Sequence, residues 1–101
     1  METASVIQTR LLALVSDDEL SGLDLQQSYL ETQEEKIALG TLYWTMRKMG
    51  EREWIKVRDD ESSDGRFRYF AITDKGREIL ANSREYYRAI ANFGLQSPAK
   101  G

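Results

Sequence analysis

The chain has 101 residues, 41% of them apolar and 31% charged, with a net charge of −3, which fits one ordinary folded domain around one hydrophobic core. It contains neither Cys nor His, so disulfides, thiol chemistry and the commonest metal ligand and general base are all missing. No apolar run approaches the ~18 residues of a membrane span, and the N-terminus lacks the pattern of a secretory signal.

In chain order, Val6, Ile7, Leu11, Leu14 and Val15 recur at helical spacing and predict a first helix over residues 5–15. Asp17-Asp18-Glu19 marks a turn. Ser21, with Asp24 three residues on, reads as a short capping box that opens a second helix through Tyr29 or Leu30. Leu20, just before that cap, is placed to pack on Leu25 as a hydrophobic staple. The polar run from Glu31 to Lys36 is predicted to be the turn into a third helix.

In the third helix Leu42, Met46 and Met49 stand at i, i+4 and i+7 as the buried stripe. Tyr43, with Ile37 or Leu39, lies at its margin, and Thr41, Trp44, Arg47 and Lys48 take the opposite face. Trp54-Ile55-Lys56-Val57-Arg58 and Phe67-Arg68-Tyr69-Phe70-Ala71-Ile72 have strand composition. Between them the polar stretch 59–65, ending in Gly65, suits a wing. Thr73 then caps a last helix, in which Ile79, Ser83, Tyr86, Ile90 and Phe93 alternate steps of four and three, the spacing of a coiled-coil seam. The tail from Gly94 holds the only proline and is expected to fray.

This order predicts an α+β, mostly α fold: a winged helix-turn-helix of three helices and a two-stranded wing, plus a C-terminal dimerisation helix. The expected divisions are residues 1–73 for the winged domain, 74–94 for the dimerisation helix and 95–101 for a flexible tail. Charge is distributed unevenly along it. Residues 1–35 carry a local −7, residues 36–58 a local +4, residues 59–72 a local −2 and the remainder +2. The basic segment is the one holding the third helix, as a nucleic-acid binder requires.

Several segments together carry a family resemblance. They are Leu11-Leu12-Ala13-Leu14-Val15, Leu20-Ser21-Gly22-Leu23-Asp24-Leu25, Gly40-Thr41-Leu42-Tyr43, and Arg68-Tyr69-Phe70-Ala71-Ile72-Thr73-Asp74-Lys75-Gly76-Arg77-Glu78-Ile79-Leu80. The chain resembles the PadR-like transcriptional regulators over roughly residues 7–80. That resemblance implies a compact member with a single C-terminal helix, which pairs through that helix and usually represses transcription. Some members release DNA on binding small aromatic or cationic molecules between subunits. The chain departs from the pattern in three places. Trp44 stands where a Pro usually follows the Tyr, Glu53 stands where a Gly usually ends the recognition helix, and the wing carries four acidic residues before Arg66 and Arg68.

The expected function is a homodimeric DNA-binding regulator, a repressor on a palindromic operator, in the cytoplasm, with no cofactor, no metal and no membrane association. Its candidate DNA contacts are Thr41 and Trp44 toward base edges and phosphates, the Tyr43 hydroxyl toward a phosphate, Arg47 and Lys48 on backbone oxygens, and Arg66 and Arg68 of the wing in the neighbouring minor groove. Ile79, Tyr86, Ile90 and Phe93 are the candidate dimerisation residues. Tyr86, Tyr87 and Trp54 are candidates to line a pocket for a small aromatic effector, with plain packing as the other reading. The alternative function is a winged-helix interaction module that has lost DNA binding and meets a basic partner through its acidic surface. An enzyme is not expected, since no carboxylate has a recognisable partner at informative spacing.

Overall fold

The computed structural model describes residues 1–60 and 68–96. Helix α1 (Val6–Leu14) begins at Ser5 with a full capping box: the Ser5 hydroxyl accepts the Gln8 N–H at 3.1 Å, and the Gln8 side-chain oxygen accepts the Ser5 N–H at 2.9 Å. Strand β1 (Leu20–Ser21) leads directly into α2 (Gly22–Gln33), capped by the Ser21 hydroxyl on the Asp24 N–H. Helix α3 (Leu39–Glu51), strands β2 (Ile55–Asp59) and β3 (Arg68–Ile72), and the long helix α4 (Asp74–Gln96) complete the chain.

Two boundaries differ from the sequence expectation. Helix α2 runs to Gln33, about one turn further, and stops where Glu34 takes a left-handed φ of 54°. Once Leu25 and Tyr29 are buried, the polar residues after them continue the helix on its solvent side. The turn into α3 is therefore residues 34–38. The wing is the expected two-stranded hairpin, β2 with β3, but the sheet it belongs to gains a third strand. Leu20 pairs with Phe70 and Ser21 with Tyr69, so β3 lies in the middle of an antiparallel sheet ordered β1-β3-β2. Leu20 is half-buried against the core from this strand position. Asp60 ends the first described part of the wing, and its turn, with Arg66 and Phe67, lies outside the described residues.

One core joins all the elements. Leu11 and Leu12 of α1, Leu25 and Tyr29 of α2, Leu42, Met46 and Met49 of α3, Trp54 and Ile55, Phe70, and Ile79 with Leu80 of α4 are its main members. Truncating a buried Leu or Met to Ala costs about 2–5 kcal/mol, so the three anchors of α3 fix that helix in rotation. Gly76 lets α4 start close to the sheet: a Cβ there would run into the Trp54 carbonyl oxygen, which accepts the Thr73 N–H at 3.1 Å. Thr73 caps α4 as expected, its hydroxyl accepting the Gly76 N–H at 2.9 Å. Beyond Ser83 the helix leaves the domain, and its side chains to Phe93 are exposed apart from Tyr87.

Candidate nucleic-acid interface

At 100° per residue, the buried line of α3 (Leu42, Thr45, Met46, Met49) puts Gly40, Trp44, Arg47 and Glu51 directly opposite, facing solvent. Thr41 and Lys48 flank that line on one side and Tyr43 on the other. Trp44 is 57% exposed, a large apolar side chain with no place in the core. The Lys48 ammonium sits 5.6 Å from the centre of its ring and also pairs with Glu51 at 3.7 Å. Arg47 makes no ion pair with any described residue.

The start of α3 is held from the side by α2. Gln26 donates its amide N–H to the Ile37 carbonyl at 2.9 Å, which ties the turn to the preceding helix. Arg10 adds a second tie, donating to the Tyr29 hydroxyl at 3.2 Å and pairing with Glu35 at 3.5 Å. Ala38 stands at the N-cap and gives no side-chain hydrogen bond. An open groove of about 580 Å³ runs beside it, lined by Gln26, Gln27, Leu30, Lys36, Ile37 and Ala38. Tyr43 is half-buried: its ring packs on Phe70 at 5.9 Å and covers Gly22, where a Cβ would collide with the phenol.

The C-terminal end of α3 closes in a Schellman arrangement. Trp54 N–H reaches the Met49 carbonyl and Glu53 N–H the Gly50 carbonyl, both at 3.0 Å. Glu53 occupies the left-handed position of that motif, with φ 64°. The missing glycine thus leaves the stop where it was and places Glu in glycine's conformation. The Thr73 hydroxyl donates to the Glu53 carbonyl at 2.6 Å and holds the turn.

The base of the wing carries paired charges. Arg58 donates two hydrogen bonds to the Glu19 carboxylate, at 2.7 and 3.2 Å, while its guanidinium lies 4.5 Å from the centre of the Tyr69 ring. These bonds hold the Glu19 carboxyl below its ordinary range. Arg68 pairs with Asp59 at 3.3 Å, its cross-strand neighbour. Arg66 lies outside the described residues.

The four residues expected to form a pairing seam are divided by the structure. Ile79 is 1% exposed and Ser83 fully buried, both inside their own domain, so Ile79 has no surface to offer a second chain in this packing. The same periodicity serves intramolecular packing first and exposes Tyr86, Ile90 and Phe93 afterwards, the last at 76%. Val6 and Ile7 of α1 are also exposed apolar residues. Trp54, considered for a pocket between subunits, is 0% exposed within its own core. Tyr87 is half-buried and donates its hydroxyl to the Ala4 carbonyl at 2.8 Å. Of those three aromatics only Tyr86 stands clear of the domain.

Sequence reasoning missed Gln26, Glu19 and Arg58 as residues that shape this surface. Gln26 had one signal, a polar residue one turn before the buried Tyr29. The Glu19–Arg58 pair had none, because 39 positions separate its members.

Comparison with known proteins agrees with this geometry. The profile of the transcriptional regulator PadR-like family matches residues 11–82. No protein of curated function matches the sequence. Among solved structures, a transcriptional regulator from Clostridium thermocellum superposes with a TM-score of 0.81 at 17% identity, over 91% of this chain and 89% of the other. A PadR-like transcriptional regulator from Bacillus cereus gives 0.76 at 25% identity, over 91% and 93%. Bacillus subtilis PadR, solved in complex with operator DNA, gives 0.66 at 23% identity, over 77% of this chain and 47% of that longer one. The fold is a winged helix-turn-helix, and the chain belongs to the PadR-like family of transcriptional regulators.

Proposed function

We infer that the protein is a sequence-specific DNA-binding regulator that acts as a homodimer on a palindromic operator and represses transcription. The observation that carries this reading is the outward face of α3. Thr41, Trp44, Arg47 and Lys48 project from the second helix of a helix-turn-helix whose opposite side is fixed in the core. Lys36, Arg47 and Lys48 supply positive charge on a chain that is acidic overall. The Bacillus subtilis relative, solved in complex with operator DNA, supports DNA as the partner. The exposed Tyr86, Ile90 and Phe93, beyond the body of the domain, supply the pairing surface. Two-fold pairing would present two α3 helices to successive turns of one duplex face.

Selection of bound sequences from a random duplex pool tests this directly. A palindrome whose affinity falls steeply with salt is the expected result. In vitro transcription from a promoter overlapping that palindrome should fall when the protein is added. One observation favours the second reading, an interaction module that has lost DNA binding: both described arginines at the base of the wing are paired with carboxylates. A folded, dimeric protein that retains no duplex at low salt would establish that reading instead.

A further inference from the structure

We propose that Trp44 and Gly40 together form a shelf on α3 that reads the 5-methyl group of a thymine in the major groove. This rests on the DNA-binding reading above and specifies what that face recognises. Gly40 and Trp44 are one helical turn apart on the line opposite the core. Nothing lies within 4 Å of where a Gly40 Cβ would stand, so no intramolecular contact requires glycine there. Gly40 is the second residue of α3, in its first turn. Its bare backbone leaves room for another surface to come close.

Trp44 sets the chemistry of what comes close. Trp44 follows Gly40 by one turn on the same outward line, so the open space at Gly40 and the exposed indole share one face of the helix. Lys48 lies over the ring, 5.6 Å from its centre. An indole has one N–H donor and no acceptor, so it cannot make the bidentate contacts that distinguish guanine or adenine. What it offers is apolar area, and the apolar group that distinguishes a base pair in the major groove is the thymine methyl. Lys48 and Arg47 on the same face would hold the phosphates on either side.

The test replaces each thymine of the selected duplex in turn with deoxyuridine, which removes only the methyl group. Wild-type protein, Trp44→Ala and Trp44→Phe are titrated at low salt, where phosphate contacts keep the weaker variants measurable. Wild type should lose about fourfold at one thymine per half-site, the factor that burial of one methyl-sized group corresponds to. Trp44→Ala should bind the two duplexes equally, and Trp44→Phe should keep part of the difference. Binding that is indifferent to every thymine methyl, or equally sensitive in Trp44→Ala, overturns the proposal while leaving DNA binding intact. A wild-type protein that binds no duplex overturns both readings. Gly40→Ala gives an independent arm: it should raise the melting temperature and weaken DNA binding at once, and unchanged affinity would remove the shelf.

Discussion

Glu19 and Arg58 close a clamp across the middle strand of the sheet, from the residue before β1 to the next-to-last residue of β2. The hydrogen bonds from Arg58 hold the Glu19 carboxyl below its ordinary value of 4.5. A carboxyl depressed in the folded state stabilises the fold above its unfolded value, and that contribution fades as pH falls through the folded one. Glu19→Gln should therefore lower the melting temperature slightly at neutral pH, with the difference from wild type closing as pH falls below the ordinary carboxylate range. Parallel thermal melts across pH would check it; a difference that persists in acid would mean the clamp works by shape rather than charge. Ser83 is a second single-residue joint. Its buried hydroxyl accepts the Ala4 N–H at 2.8 Å and donates to the Ile79 carbonyl at 2.7 Å. Ser83→Ala leaves the buried Ala4 N–H unpaired and should cost about 1–3 kcal/mol in denaturant unfolding.

Among the elements, the end of α3 shows how a local rule survives the loss of its usual residue. Glu53 at φ 64° carries the strain of a side chain in the left-handed region. Glu53→Gly should raise stability by about 0.5–1 kcal/mol, read from denaturant midpoints, with no change in the hydrogen bonds of the turn. This stop was not legible from Glu53 itself, because the sequence carries Gly50 nearby and Glu at the critical place. By contrast the buried stripe of α3 was fully legible: Leu42, Met46 and Met49 follow the helical period, and all three are 0% exposed. Strand β1 was not, because two residues have no period and become a strand only through their partners Phe70 and Tyr69. The last turn of α2 was hidden for a related reason, since polar composition suits a turn and an exposed helix end equally well. Ile79 and Phe93 lie on one repeat in the sequence, yet one is core and the other surface. Periodicity gives the face of a helix, and only the neighbouring elements decide what that face meets.

At the scale of the whole molecule, the proposed function calls on two surfaces at different places: the outward face of α3 and the free half of α4. Phe93→Asp should shift the protein toward monomer in sedimentation while leaving the domain folded, because Phe93 touches none of the core. If the proposed operator is palindromic, the same change should weaken its binding far more than binding to random duplex. Arg47→Ala should lower affinity for all duplexes alike and reduce the slope of log affinity against log salt by about 1, as loss of one phosphate contact does. A change confined to one sequence would instead place Arg47 on a base.

The two tryptophans occupy opposite environments, Trp54 wholly inside the core and Trp44 out on the helix face. The molecule thus has two intrinsic optical reporters with separate assignments. In Trp44→Phe the remaining emission follows unfolding and is shielded from aqueous quenchers such as iodide. In wild type the fraction open to iodide belongs to Trp44, and it should become protected when DNA covers the α3 face. Folding and occupancy can then be followed in one unlabelled sample, each by its own indole.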